Sequence, residues 1–128
     1  MSVVLDADVV IGALDASDAH HPLATERFLA WEATSTARLL SAVTLTEVLV
    51  GPATEPAVLR GARRAIAALG IAVHAPNEAI AVEAARLRGR HPISLPDAYL
   101  LATARQLKSQ PVSFDRNVQR AAEAEGLA

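Results

Sequence analysis

Residues 3–11 read Val-Val-Leu-Asp-Ala-Asp-Val-Val-Ile, an apolar run that meets its first acid at Asp6. The segment Ser2–Asp6 predicts a buried strand, and Val9–Leu14 predicts a short helix directly after it. Three more short apolar runs follow along the chain, each separated from the next by Ala- and Leu-rich segments with helical spacing. This alternation predicts an α/β sandwich with a parallel sheet, whose ligands lie at the carboxyl ends of the strands.

Turn and cap residues set the predicted ends of the other elements, with Gly51-Pro52 and Gly70 as the strongest helix stops. The other predicted strands are Arg38–Ser41, Ile71–His74 and Pro111–Ser113. The other predicted helices are Pro22–Glu32, Thr44–Val50, Ala57–Leu69, Asn77–Arg90, Ser94–Lys108 and Asn117–Glu125.

Length and composition narrow the class of protein. A chain of 128 residues, 52% of them hydrophobic, suits one compact domain over residues 1–128, and 3% aromatic residues imply an aliphatic core. The lack of Cys excludes disulfides, thiolate metal sites and cysteine nucleophiles. No apolar stretch approaches the roughly 18 residues of a membrane span, and Asp6 interrupts any signal-like start. We therefore expect a cytoplasmic protein without a membrane partner.

Four acids occupy corresponding positions in this predicted fold. Asp6 ends the first strand and Asp115 follows the fourth within two residues, so both are expected at the carboxyl edge of the sheet. Glu47 and Asp97 lie in the predicted first turns of two helices, at the ends that face the same edge. Four carboxylates from distant parts of the chain are therefore expected to converge.

Converging carboxylates repel one another unless a cation neutralises them. Oxygen ligands, with no Cys and no His at metal-ligand spacing, favour Mg²⁺ or Mn²⁺ over zinc. Such a carboxylate site suits the hydrolysis of phosphodiester bonds. Each acid also has a structural interpretation. Thr44–Glu47 and Ser94–Asp97 both match capping boxes, and Asp6 and Asp115 could be ordinary acids at strand ends. The joint placement of all four favours a shared site over four separate caps or strand ends.

With these acids in place, the chain resembles the PIN-domain ribonucleases, specifically the small VapC-type toxins of bacterial toxin–antitoxin pairs. The segment Ser41–Gly51 follows the family pattern S-x-x-T-x-x-E with a trailing Gly, and Leu95–Ala104 is close to the family's P-D-A helix start. The outer segments Val3–Ile11 and Ser113–Asn117 match more weakly. The resemblance implies a PIN-like three-layer α/β/α sandwich with a short, mainly parallel sheet of four to five strands.

The resemblance also implies a function. Asp6, Glu47, Asp97 and Asp115 become catalytic, metal-binding acids, and the Ser113 hydroxyl orients the last acid or a metal-bound water. The implied activity is that of a Mg²⁺-dependent endoribonuclease, the toxin of a type II pair, acting on RNA such as transfer or ribosomal RNA. The implied partners are a second copy of the chain and a cognate VapB-type antitoxin that occludes the active site.

The sequence departs from the family pattern at several positions. Asp8 stands where Ser, Asn or Thr is more usual, and it either adds a fifth carboxylate or, as we favour, caps the helix predicted from Val9. Ser113 replaces the usual Thr, and Val118 stands where an aromatic residue often follows the fourth acid. Relatives often add an edge strand after the position of Leu127, so a final strand is left open.

Parts of the sequence also match three other functions. A haloacid-dehalogenase-like phosphatase would use Asp6 as nucleophile, since residues 3–8 match its strand followed by D-x-D, but it also needs a Lys and the chain has only Lys108. A receiver domain would need an Asp after the third strand, where His74 stands. A PIN-like module that binds RNA or a partner without cleavage would not need all four acids.

A histidine pair and a group of three arginines could each be functional or simply lie on the surface. His20-His21 precedes Pro22 in a polar segment and is interpreted as a surface turn. Arg60, Arg63 and Arg64 share one predicted helix and either contact RNA phosphates or form a solvated face, the latter being the simpler interpretation.

Overall fold

Four parallel strands form one sheet in the computed structural model, which describes all 128 residues. The strands are β1 (Ser2–Leu5), β2 (Ala37–Ser41), β3 (Ile71–His74) and β4 (Gln110–Val112). The helices are α1 (Ala7–Leu14), α2 (His21–Ala33), α3 (Ala42–Leu49), α4 (Pro56–Ala68), α5 (Glu78–Arg90), α6 (Leu95–Leu107) and α7 (Arg116–Ala124), with a short 3₁₀ turn at Pro52–Thr54. The four predicted strands and the predicted helices are all present.

The strand order is β3-β2-β1-β4, so β1 lies inside the sheet between β2 and β4. In this register Val4 of β1 lies opposite Leu39 of β2 and Pro111 of β4. The chain adds β2 and β3 on one side of β1 and returns to place β4 on the other. The gap between β1 and β4 is therefore the point where strand order reverses, which is where open α/β sheets form a crevice.

The two faces of the sheet pack against different helices. Val3 and Leu5 point into one aliphatic cluster with residues of α1 to α4, such as Val10 and Ile66. Val4, between them in sequence, points to the opposite face and packs against α5, α6 and α7. This period-two alternation along β1 gives a three-layer α/β/α sandwich, as the resemblance implied.

Two helices, α1 and α3, begin two residues earlier than the sequence pattern predicted. Asp6 is the N-cap of α1 and accepts a hydrogen bond from the Ala7 amide at 2.7 Å. Ser41 is the N-cap of α3 and accepts from the Val43 amide at 3.2 Å. The prediction that Asp8 caps a helix starting at Val9 is therefore wrong. In both places the last polar residue at the strand end is itself the cap, so no loop separates strand from helix.

The capping box predicted at Thr44–Glu47 is also wrong. Thr44 is buried inside α3, and its hydroxyl has no hydrogen-bond partner. Glu47 consequently lies in the second turn of α3 rather than the first. Its carboxylate is not used to cap the helix, which removes the competing explanation for this acid.

Other predicted helix ends are confirmed. The Ser94–Asp97 capping box is present at the start of α6, and Asn77 caps α5 by accepting from the Ile80 amide at 2.9 Å. Gly70 follows α4 in the left-handed region at φ 71°, and a Cβ there would lie 2.7 Å from the Arg38 guanidinium. Residues after α7 form no fifth strand. None of the helices combines the length and the apolar character that crossing a bilayer requires.

Candidate active site

Asp6 lies at the carboxyl end of β1, in the crevice between β1 and β4. Its backbone amide donates to the Val112 carbonyl at 2.9 Å, which continues the β1–β4 pairing by one residue. Its side chain is 6% exposed and accepts hydrogen bonds from the Ala7 amide and from the Ser113 hydroxyl. Burial, and secondarily the negative charges of Asp8 and Asp97, raise the pKa of Asp6 to about 7, against the opposing effect of the Ser113 hydrogen bond.

Ser113 joins the first predicted acid to the last. Its hydroxyl donates to Asp6 Oδ2 at 2.6 Å and accepts from the Asp115 amide at 3.0 Å. Ser113 follows β4 directly and is buried, so the hydroxyl stands inside the crevice rather than at its rim. The sequence interpretation gave Ser113 an orienting role toward the last acid, and the structure adds a direct hydrogen bond to the first.

Asp8 lies in the first turn of α1 and faces the same crevice. Its Oδ2 accepts a hydrogen bond from the Phe114 amide at 3.1 Å, while its Oδ1 is shut off from solvent and has no partner. Burial raises the pKa of Asp8, with a smaller contribution of the same sign from Asp115, whereas the Phe114 hydrogen bond and the nearby His20 lower it. Asp8 therefore stands among the predicted acids as a fifth carboxylate.

Glu47 and Asp97 approach from the two helices that pack over the carboxyl edge, α3 and α6. Glu47 is exposed, yet partial desolvation raises the pKa of its carboxyl, and the negative charges of Asp97 and Asp8 add to this effect. The Asp97 carboxylate accepts from the Ser94 amide at 3.3 Å, a long hydrogen bond that leaves its other oxygen uncommitted. The structure thus brings Asp97 within electrostatic reach of both Asp6 and Glu47.

Asp115 lies at the margin of this group. It is exposed, and its Oδ1 caps α7 by accepting from the Asn117 and Val118 amides at 2.7 and 3.2 Å. Asp115 is linked to the other acids through the Ser113 hydroxyl, and its charge acts on Asp8. The sequence placed Asp115 with the other three, and the structure gives it a helix-capping role as well.

The acid cluster, defined as Asp6, Asp8, Glu47, Asp97 and Asp115, fits a divalent cation in its chemistry. Its donors are all carboxylates, and burial and mutual repulsion raise the pKa of three of them. Asp8 Oδ1 is a buried oxygen without a partner, which costs free energy unless a cation or donor meets it. As the side chains lie, no three acidic or histidine side chains are close enough together to hold one ion. The donor set is therefore suitable in its chemistry, while the repelling carboxylates, as oriented here, stand too far apart to hold one ion together.

The cluster is bordered by an aromatic pair, which the sequence did not indicate. The ring of His20 lies 4.7 Å from the ring of Phe114, and the Phe114 amide is the group bound to Asp8. His20 also lies near enough to Asp8 to lower the pKa of that carboxyl. The neighbouring His21 instead turns inward and contacts the Gly12 carbonyl through Nδ1 at 2.7 Å. No local pattern would have separated these two histidines, since they are adjacent at the start of α2, His20 as the N-cap and His21 as the first helical residue.

Lys108 lies at the opposite edge of the sheet from this crevice. It ends α6 in the left-handed conformation, just before β4 begins, and so stands near the amino edge. Asp6 and Ser113 stand at the opposite, carboxyl edge. A phosphatase mechanism that pairs Asp6 with a lysine therefore finds no lysine at the site.

A largely apolar groove of about 660 Å³ opens beside the cluster, between α1, α3 and α4. Its walls include Ile11 and Leu14 from α1, Val48 from α3, and Val58 from α4. Glu47 also lines this groove. A molecule in the groove would therefore contact one of the acids directly.

Comparison with known proteins agrees with this architecture. A family model described as the PIN domain matches residues 3–124. No curated protein matches the chain by sequence.

Several solved structures share the fold at low sequence identity. The chain is similar to the Mycobacterium tuberculosis VapC20, described as a Sarcin-Ricin loop cleaving toxin, with 18% identity and a TM-score of 0.73 over 98% of this chain and 96% of that one. A toxin–antitoxin complex from Klebsiella pneumoniae shows 23% identity and a TM-score of 0.70 over 90% and 88% of the two chains. VapBC2 from Rickettsia felis, bound to a DNA fragment from its promoter, shows 14% identity and a TM-score of 0.74 over 94% and 93%.

Proposed function

The chain belongs to the PIN-domain family, and on that premise we propose that it is a Mg²⁺-dependent endoribonuclease, the toxin of a type II toxin–antitoxin pair. The observation that carries this proposal is the acid cluster at the β1–β4 crevice. Its carboxyls repel one another, and no lysine or arginine is hydrogen-bonded or ion-paired to any of them. A protein that only bound RNA would gain nothing from negative charges gathered where the phosphates must lie.

The residues that would hold Mg²⁺, or Mn²⁺, are Asp6, Glu47, Asp97 and Asp115. When bound, the cation supplies activation of water and stabilisation of the leaving oxygen in phosphodiester hydrolysis. The Ser113 hydroxyl holds Asp6 and Asp115 in fixed relation, because it donates to the Asp6 carboxylate and accepts from the Asp115 amide. The buried setting of Asp6 keeps water from competing for its oxygens.

Support for an RNA substrate comes from α4. Arg60, Arg63 and Arg64 are exposed on its outer face, around a shallow depression of about 330 Å³. The arginines that form ion pairs lie elsewhere: Arg38, Arg86, Arg90 and Arg105. The three guanidiniums on α4 are therefore available for phosphate, which arginine binds in bidentate fashion.

The phosphate contacts have a measurable signature. Replacing Arg60, Arg63 and Arg64 together by Gln should weaken RNA binding and lower the slope of log affinity against log salt by about 2, because each single-stranded phosphate contact contributes about 0.7. Binding is measured by fluorescence anisotropy on the Asp97→Asn protein, so that cleavage does not interfere. An unchanged slope would show that RNA does not follow this face.

The groove beside Glu47 supports the antitoxin partner. We propose that an apolar segment of a VapB-type antitoxin occupies it, since its walls are aliphatic and its end reaches an acid of the cluster. An occupant would cover Glu47 and so block the site. Association into a homodimer is a prediction of the family resemblance alone, and analytical ultracentrifugation of the purified protein tests it.

The decisive experiment is incubation of the purified protein with total RNA, in Mg²⁺ or in excess chelator. Cleavage is expected with Mg²⁺ and not with chelator, and it should be lost in Asp97→Asn, which keeps an acceptor for the Ser94 amide. Glu26→Gln is the matched control, because Glu26 is exposed on α2 and has no partner. Equal cleavage by folded Asp97→Asn would overturn the site assignment, and cleavage in chelator would overturn the metal requirement.

The phosphatase alternative is tested in the same preparation. Release of phosphate from a generic monoester that is lost in Asp6→Asn would favour it. We expect no such release, since Lys108 lies at the opposite edge of the sheet and no lysine stands beside Asp6.

A further inference from the structure

We propose that Asp8 is a positioning residue with two separable functions: as a hydrogen-bond acceptor it fixes the loop that carries Asp115, and as a charge it strengthens divalent-cation binding by the cluster. The inference rests on the proposed function only for the identity of the site. The PIN resemblance assigns no such charge here, since relatives more often have Ser, Asn or Thr at this position.

The first function follows from the contact with Phe114. Asp8 Oδ2 accepts from the Phe114 amide at 3.1 Å, across 106 residues of sequence, and so ties α1 to the loop after β4. Phe114 is flanked by Ser113 and Asp115, which both belong to the site. The loop is thereby held from two directions, by Asp8 at the Phe114 amide and by the Ser113 hydroxyl at the Asp115 amide.

The second function follows from the other oxygen. Asp8 Oδ1 is excluded from solvent and makes no hydrogen bond, although the carboxylate lies in the first turn of a helix where it could have faced water. A first-turn acid that served only the helix would be solvated. Asp8 instead keeps an unpartnered oxygen on a carboxylate that lies close enough to Asp6, Glu47 and Asp115 for the charges to act on one another. Such an arrangement is unfavourable without a cation and favourable with one.

Two substitutions separate the functions. Asp8→Asn keeps an acceptor for the Phe114 amide and removes the charge, whereas Asp8→Ala removes both. Mg²⁺ and Mn²⁺ binding is measured by titration calorimetry on the full chain without RNA, and amide hydrogen exchange at Phe114 and Asp115 is measured in parallel. Glu26→Gln is the control for the loss of one negative charge outside the site.

The expected results differ between the two variants. Asp8→Asn should bind Mn²⁺ about tenfold more weakly than wild type, the size of effect seen when a supporting residue of a metal site is lost. Its exchange at Phe114 should match wild type. Asp8→Ala should show the same or greater loss of Mn²⁺ affinity, together with exchange at Phe114 and Asp115 faster by about tenfold or more, because the loop opens locally.

Each outcome decides one function. Wild-type Mn²⁺ affinity in both variants would overturn the role of the charge, and unchanged exchange in Asp8→Ala would overturn the role of the acceptor. Asp8→Ser, the residue type usual in relatives, should restore slow exchange at Phe114 without restoring affinity. If wild type binds Mn²⁺ and the variants behave as expected but no RNA is cleaved, the proposed function fails and the inference on Asp8 stands. If RNA is cleaved but the Asp8 variants bind metal as well as wild type does, the proposed function stands and the role of the Asp8 charge fails.

Discussion

Two groups of acids in this molecule have opposite surroundings. Glu125, after α7, is hydrogen-bonded to Arg90 at 2.9 Å, to His91 at 2.6 Å and to Arg105 at 3.0 Å. The hydrogen bond from Arg90, followed by that from His91, lowers the pKa of Glu125 to about 2. Asp6, at the crevice, has no such partner, and burial raises its pKa to about 7.

The contrast distinguishes an acid that stabilises the fold, Glu125, from the acids proposed to carry the function. Around Glu125 the positive partners come from α5 and α6, so the ion pairs fasten three helices of one layer together. In the acid cluster the charges are left without partners inside the protein. Arginines pair with Glu32, Glu83 and Glu125 but with none of the five acids at the crevice, which is the pattern expected of a site that binds a cation.

Among the substitutions that test this contrast, Glu47→Gln should have the largest effect, a loss of RNA cleavage without a loss of stability. RNA cleavage should fall by at least about 100-fold, since even supporting residues of metal sites cost up to that amount. The melting temperature should stay the same or rise, because one repelling charge is removed without loss of a hydrogen bond. Cleavage assays and thermal unfolding test both statements, and a marked drop in melting temperature would show that Glu47 is structural.

Ser113→Ala should have the next largest effect. Loss of the hydroxyl removes a hydrogen bond that lowers the pKa of Asp6, so the pKa rises further and protons compete better with Mg²⁺ at neutral pH. Mg²⁺ affinity is expected to fall about tenfold, and calorimetry measures it. Ser113→Thr, which keeps the hydroxyl and is usual in the family, is the control. If Ser113→Thr lost as much Mg²⁺ affinity as Ser113→Ala, the packing of the side chain rather than its hydroxyl would be what matters.

Glu125→Gln should reverse the pattern seen for Glu47. We expect a melting temperature lower by a few degrees at pH 7 and RNA cleavage equal to wild type. Because the folded pKa of about 2 is below the ordinary 4.5, the stability from Glu125 is present above pH 4.5 and is lost as pH falls toward 2. The gap between wild type and variant should therefore shrink over that range. A gap independent of pH would contradict the role of the charge.

Ser94→Ala should have the smallest effect. The substitution removes the side-chain half of the capping box at α6 and should lower the free energy of unfolding by about 1 kcal/mol. Cleavage should persist, because Asp97 keeps its carboxylate. Urea denaturation measures the first effect. Loss of cleavage as large as that in Asp97→Asn would mean that the cap, rather than a metal-binding carboxylate, is what the site requires of Asp97.

Much of the fold could be predicted because it is encoded locally. The alternation of short apolar runs with helical segments predicted all four strands, and the caps at Asn77 and Ser94 predicted two helix starts. The starts of α1 and α3 were predicted two residues late, because the cap in each case is the polar residue at the strand end. Strand propensity and capping propensity compete at Asp6 and Ser41, and sequence pattern alone does not resolve which one prevails.

The candidate site was predictable to a lesser degree. The sequence placed Asp6, Glu47 and Asp97 at one edge of the sheet, where the structure has them. The capping role of Asp115 was not expected, and the entry of Asp8 into the cluster was the less favoured of its two interpretations. The cap at Asp115 is local, because it accepts from the Asn117 and Val118 amides. The position of Asp8 instead depends on how the loop after β4 lies against α1, through a contact between residues 106 positions apart.

The sequence by itself determined the order and type of the elements and the edge at which the acids gather, because periodicity and caps act over a few residues. Only the tertiary structure decided which acids receive a positive partner. Glu125 meets Arg90 and Arg105 because α5, α6 and α7 pack on one face of the sheet. The five acids at the crevice meet none, and it is packing between distant segments, not local pattern, that leaves them without one.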